Sequence, residues 1–265
     1  MSRHGLGRGV LRPDAAAGFL EVRRHPPAPE LAALVDFYWN PRWDLRGRDP
    51  YEQKVLTHPN VHLVFEPQGP LVHGVSREVF VRRLAGAGQV FGVKFRPGAF
   101  RPFMSGPVAG LTDRAVPAAG ILGPGAEPVG RQILALDDLA QMAALADRFL
   151  LGLLPALPRD PQVAEVAALV EAITARPQLF RVDELARELG IPVRRLQRLF
   201  AEYVGASPKW VLRRARLHEA AARADAGTGI DWAALAADLG YADQAHLTRD
   251  FTAAVGAPPG RYAAR

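Results

Sequence analysis

The sequence predicts an α+β protein, with an antiparallel β-rich half in front and an all-α half behind. Three observations carry this. Short apolar runs separated by Gly and Pro fill residues 53–103, an apolar layout of helix, short turn and helix occurs twice near the C-terminus, and Pro155, Pro158 and Pro161 punctuate the chain between the two regions. A chain of 265 residues is long enough for two cores.

Taken in order, residues 1–18 are basic, interrupted by Gly and Pro, and read as a flexible arm. They lack the apolar core of a signal peptide, and no run approaches the length of a membrane span, so a cytoplasmic protein without membrane contact is expected. Phe19–Arg23 reads as a strand, Glu30–Leu34 as a brief helix, and Val35–Trp39 as apolar chain beyond it. From Gln53 to Phe103 the strand candidates include Val61, Leu63 and Phe65 alternating with His62, Val64 and Glu66. Even spacing of such strands suggests an antiparallel barrel or sandwich, and residues 19–135 are assigned to this β-rich sensor domain.

Its chemistry is better suited to binding than to turnover. The chain has no cysteine, which excludes disulfides, thiolate zinc sites and thiol nucleophiles. His58, His62 and Glu66 stand four apart, but in a strand that spacing separates Cβ atoms by roughly 13 Å, too far for one ion. No metal or cofactor is therefore expected, and no serine elbow, phosphate loop or HExxH motif marks a catalytic centre. Tyr38, Trp39 and Trp43, with Lys94 and Arg96, are the candidates for a small-molecule effector site.

Residues 136–154 form a helical candidate whose apolar stripe is too broad for a free surface helix, and a docking or dimerisation role is expected. Asp137 and Asp138 stand where a helix cap would. Residues 155–160 are read as the linker, and Asp160 followed by Pro161 as the cap and first turn of a helix to Ala175.

The first repeated unit runs from Val182 to Gly205. Leu185, Ala186 and Leu189 form one apolar face, Gly190 stops the helix, and Leu196, Leu199 and Phe200 face one way on the next. Arg194, Arg195, Gln197 and Arg198 are left on the outside, with donors suited to phosphate oxygens and purine edges. A long helix follows from Ser207 to Asp225, with Trp210, Leu217 and Ala221 assigned to its core side and Arg213, Arg214 and Arg216 projecting elsewhere. Arg213 and Arg216, three apart, can approach a phosphate backbone together. In the second unit, Leu235, Ala236, Leu239 and Gly240 repeat Leu185, Ala186, Leu189 and Gly190, and Leu247, Arg249, Phe251 and Gly256 repeat Leu196, Arg198, Phe200 and Gly205. Its outer face offers Gln244, His246, Thr248 and Arg249. The formal charge of +6 is a weak prior for an anionic partner, while the patch from Arg194 to Arg223 is locally basic.

With both motifs and their spacing in hand, residues 161–265 resemble the double helix-turn-helix DNA-binding domain of the AraC/XylS family of bacterial transcription regulators. The resemblance implies seven helices, two of them reading successive major-groove segments of double-stranded DNA, and a cupin-like barrel in front. It also implies an activator and a contact with RNA polymerase; the regulator is expected to be ligand-responsive, and the apolar stripe of residues 136–154 adds the expectation of a homodimer. Two positions depart from the family pattern. Pro192 and Ala242 stand where a hydroxyl usually caps the recognition helix, although Asp243 can cap a slightly shifted second helix. The alternative reading is a small-molecule-binding barrel or enzyme whose helical half is a protein-interaction domain.

Overall fold

The computed structural model describes residues 9–158, 160–226 and 229–264. Strand β1 (Leu20–His25) pairs with β2 (Val35–Asp44), which continues the segment in register with β8 (Phe91–Phe95); Val35 to Phe37 shifts that register at a bulge. Between them in sequence lie β3 (Tyr51–Val55), β4 (His62–Phe65), β5 (Leu71–His73), β6 (Phe80–Leu84) and β7 (Ala87–Gln89), and β9 (Ala115–Pro117) follows. The main sheet is antiparallel in the order β1-β2-β8-β4-β5-β9, with β7 also on β2, while β3 and β6 form a separate antiparallel pair.

The expected barrel is therefore not closed by any pairing among the described residues. β1 and β9 end the main sheet, and β3–β6 stands apart. The two sheets are joined by side chains: Arg82 on β6 donates to Glu66 at 2.8 Å, and Phe80 meets the His73 ring edge-on.

Alternation sends Leu63, Phe65, Phe91, Val93 and Phe95 to one face, where they are buried with Tyr38. Helices α1 (Ala119–Leu122), α2 (Ala126–Leu134) and α3 (Leu139–Leu153) complete that core. Gly130 on α2 lies so close to Phe65 that a Cβ there would come within 2.8 Å of the ring. The start of α3 is set by Asp138, whose carboxylate accepts from the Gln141 amide at 2.8 Å. Leu139, Met142, Ala143, Ala146 and Leu150 then recur at spacings of three and four on the buried side. By length and composition alone Leu139–Ala156 is apolar enough to cross a membrane, contrary to the expectation from sequence. Its polar contacts tie it to the sheet instead, because Asp147 accepts from the Ala28 amide and the Tyr38 hydroxyl.

The helical half has seven α-helices among its described residues: α4 (Gln162–Thr174), α5 (Val182–Glu188), α6 (Val193–Leu199), α7 (Pro208–Ala226), α8 (Trp232–Asp238), α9 (Gln244–Val255) and α10 (Pro259–Ala263). α6 runs on into a wider turn over Phe200–Val204, closed by the Gly205 amide on the Phe200 carbonyl at 2.9 Å. Two apolar clusters share α7. Val211, Leu212 and Ala215 belong to the one under α5 and α6, and Leu217, Ala220, Ala221 and Ala224 to the one under α8 and α9.

Neither cluster is closed by the helical half alone. Val75 and Ala99 enter the first, and Leu11 and Leu56 the second. This corrects the reading of residues 1–18 as a flexible arm for the part described: Leu11 is buried, Val10 bridges to Val55, and the Arg12 amide donates to the Tyr262 hydroxyl. Residues 1–8 lie outside the described residues.

Candidate nucleic-acid interface

The two helix-turn-helix units are built alike from the turn outward. Gly190 and Gly240 adopt φ of +65° and +69°, a region that costs a side chain strain. Each turn redirects the chain so that the following helix buries one face, Leu196, Leu199 and Phe200 in the first unit and Leu247 and Phe251 in the second. Gly240 carries a further constraint, since a Cβ there would come within 2.1 Å of the Phe180 ring.

On α6 the outward positions are those named from sequence. Arg194, Arg195, Gln197 and Arg198 are exposed, and the three arginines form no ion pair among the described residues. The N-terminus of α6 has no side-chain cap, Pro192 standing at that position. On α9, Gln244, His246 and Arg249 are exposed and Thr248 is half-buried. Asp243 caps this helix by accepting from the His246 amide at 2.6 Å, as its position suggests. The His246 ring meets Tyr241 edge-on at 5.1 Å.

α7 differs from expectation. Arg213 donates through Nε to Asp250 at 2.9 Å, and the Arg216 guanidinium lies 4.9 Å from the Tyr241 ring with its Nε buried. Arg213 thus ties α7 to α9 through Nε alone, and Arg216 ties α7 to the turn that precedes α9. Arg214, expected to project outward, is buried, and the reason is that α7 is enclosed by both halves of the protein. Its Nη2 reaches the Arg77 carbonyl at 2.7 Å.

The effector candidates do not converge. Tyr38 is fully buried, its hydroxyl on Asp147, and burial followed by that hydrogen bond raises its pKa. Trp39 packs against Gly92, where a Cβ would come within 2.0 Å of its ring, and Trp43 covers Gly88 while donating to the Ala85 carbonyl at 3.2 Å. Lys94 pairs with Asp36 and Arg96 with Glu171, both at 2.9 Å. Lys94 and Arg96 share a cleft of about 360 Å³ between the sheet and α4 that also includes His58, Asn60 and Thr174. The histidine and glutamate of the strand do not form a shared ligand set. Glu66 engages Arg82 and His73, while burial, with Lys94 and the neighbouring histidines, holds His62 neutral with a pKa near 3.

Sequence reasoning missed the seam that joins the two halves. Arg101 donates to Glu202 at 2.6 Å and Thr112 to the Gly205 carbonyl at 2.5 Å, so the β-rich half touches the end of the α6 element directly. His218 stacks on His58 with ring centroids 3.9 Å apart. Arg101 and Glu202 lie 101 positions apart, and neither has a local pattern that names the other.

An antiparallel sheet domain followed by paired helix-turn-helix units with exposed polar recognition faces defines a DNA-binding transcription regulator. Residues 185–265 match the family model described as a helix-turn-helix domain, and residues 23–117 match a domain of unknown function. The helical half thus carries a match to an AraC-type helix-turn-helix domain, behind the match to that second domain. Three crystal structures of ToxT are similar to the chain. The apo form of a variant from Vibrio cholerae strain SCE256 is 12% identical, with 85% of this chain and 96% of that one covered at a TM-score of 0.43. ToxT from Vibrio cholerae O395 is 9% identical over 92% and 96%, at 0.41. The wild-type protein from strain SCE256 with unsaturated fatty acid bound is 10% identical over 92% of each, at 0.38. No curated protein matches.

Proposed function

We propose that the chain is a sequence-specific regulator in which α6 makes the principal base contacts and α9 supplements them. The observation that supports this most is the outer face of α6, where Arg194, Arg195, Gln197 and Arg198 stand exposed above a buried Leu196, Leu199 and Phe200. A helix fits the major groove, and arginine and glutamine can each make paired hydrogen bonds to purine edges. Gln244, His246, Thr248 and Arg249 form the second reading face, less charged and more dependent on hydrogen bonds. Arg213 and Arg216 act behind it by holding α9 in place.

The working division is a sensor at residues 19–135, a docking or dimerisation segment at 136–154, a linker at 155–160 and a reader at 161–265. The sensor is ligand-responsive and the regulator an activator with an RNA polymerase contact, no catalytic step being required of any residue. The cleft bearing Lys94 and Arg96 is the favoured effector position because it lies between sheet and α4, where occupancy changes how the halves dock. Selection of bound duplexes from a random pool tests the reading. Enrichment of a defined sequence is expected, and recovery of unrelated duplexes with equal affinity would reduce the protein to a nonspecific DNA binder.

A further inference from the structure

Arg214 is 3% exposed, and no carboxylate pairs with it among the described residues. Its compensation is slight. Nη2 donates to the Arg77 carbonyl, the guanidinium lies 4.5 Å from the Trp210 ring, and Nη1 is buried without a partner. Burial, with the charge of Arg213 second, pulls its pKa down to about 10, which still leaves it charged at neutral pH. A buried charge is costly unless an opposite charge or a full set of hydrogen bonds answers it.

Beside it lies a recess of about 90 Å³ formed by Arg213, Arg214 and Trp210 on α7, Ala253 on α9, and Arg77 from the β-rich half. The acids at this seam are already engaged. Asp113 accepts from the Arg77 amide and Nε, each at 2.7 Å, with Nη2 at 2.6 Å, and Asp250 accepts from Arg213 through Nε alone. Three guanidinium groups thus meet two carboxylates, and among the described residues Nη1 of Arg77 and both terminal nitrogens of Arg213 have no hydrogen-bond partner. The recess is small, on the scale of one tetrahedral oxyanion rather than of an extended ligand.

We propose that this seam binds a phosphoryl-class anion, either inorganic phosphate or the phosphoryl group of a small phosphorylated metabolite. Arginine forks from several directions suit an oxyanion with many acceptor lone pairs, and its charge answers that of Arg214. Because Arg77 comes from the β-rich half and the other two arginines from α7, the bound anion adds a bridge between the halves. This inference stands apart from the DNA-reading assignment and does not require it.

Titration of the full chain with potassium phosphate, against potassium chloride at matched ionic strength, tests it by calorimetry and by melting. Phosphate at about 10 mM should raise the melting temperature by about 3 °C, the shift that a single site with a Kd of about 2 mM gives, and each further increment of phosphate should raise it by less. Arg77→Gln and Arg213→Gln should each weaken binding about tenfold or more, while Arg131→Gln, on the exposed side of α2, keeps the full response. Arg214→Met should melt cooperatively and show no phosphate shift, which separates loss of the site from loss of the fold. No stabilisation beyond chloride would overturn the proposal, as would equal responses from Arg77→Gln, Arg213→Gln and the unmodified chain. Displacement of bound phosphate by short duplexes of unrelated sequence would assign the recess to DNA backbone and overturn the small-anion reading; retention of phosphate on bound DNA would support it.

Discussion

Single side chains separate contact from support. Arg194 and Gln197 are exposed on the face of α6, with no side-chain partner among the described residues that would account for their position. Alanine at either should cost roughly 1 to 3 kcal/mol on the selected site and much less on random duplex, measured by paired titrations. Equal losses on both would remove the base-reading role. Glu66 makes a different prediction. His73, 3.7 Å away, and Arg82, 2.8 Å away, hold its carboxyl below the usual carboxylate range despite burial. The His73 nitrogen is at ion-pair rather than hydrogen-bond distance, so Arg82 provides the firmer bond. A carboxyl depressed in the folded state contributes stability above its unfolded pKa of about 4.3 and loses it as pH falls through the folded value. Glu66→Gln should therefore flatten the acid limb of stability against pH, followed by chemical denaturation at several pH values. An unchanged acid limb would mean the link between the sheets carries no net charge energy.

At the level of elements, the paired turns look interchangeable in sequence and are not. Gly190→Ala meets open space and suffers only the positive φ, about 1 kcal/mol, whereas Gly240→Ala also drives into Phe180. Thermal melts should rank Gly240→Ala clearly below Gly190→Ala, and equal melting would show that the half-exposed Phe180 ring swings aside freely. The helices themselves were readable because Leu185, Leu196, Leu235 and Leu247 repeat their spacing, and Asp138 and Asp243 cap where their positions suggest. The sheet was less so. Val64 is buried although the alternation assigned it opposite Leu63 and Phe65, since both faces of β4 are covered. Closure of a barrel depends on pairings between distant strands, and strand spacing along the chain does not specify them. The exposed α6 residues were legible for the same local reason as the helix. Arg213, Arg214 and Arg216 were misplaced because the partners that claim them, Asp250, Arg77 and Tyr241, come from other elements.

For the whole molecule, the halves share apolar clusters as well as the Arg96–Glu171 and Arg101–Glu202 pairs. A fragment from Asp160 to Arg265 should retain helical circular dichroism and DNA binding yet melt below the full chain, because Leu11, Leu56, Val75 and Ala99 are gone from its core. An unfolded fragment would place the boundary elsewhere. Assembly is a separate matter. Leu145, Phe149, Leu151 and Leu153 on α3 are only partly covered by the core they pack against, and a symmetric partner is the commonest way to bury such a remainder. Sedimentation should show a dimer at micromolar concentrations and a soluble monomer for Phe149→Glu. A monomeric unmodified chain at every concentration would rule the dimer out, and aggregation of the variant would assign the face to the monomer core.

The length of α7 has a consequence for how this protein can change over generations. One helix lies in both reader clusters, so its residue count works as a ruler between the two motifs. Each residue added or removed would turn one motif about 100° around the helix axis and shift it about 1.5 Å along it. Loops elsewhere can absorb such an event, whereas here it would strip Arg213 from Asp250 and misalign both clusters. Variation in DNA preference is thus free to accumulate by substitution at the exposed positions, while insertion and deletion within Pro208–Ala226 are closed to it.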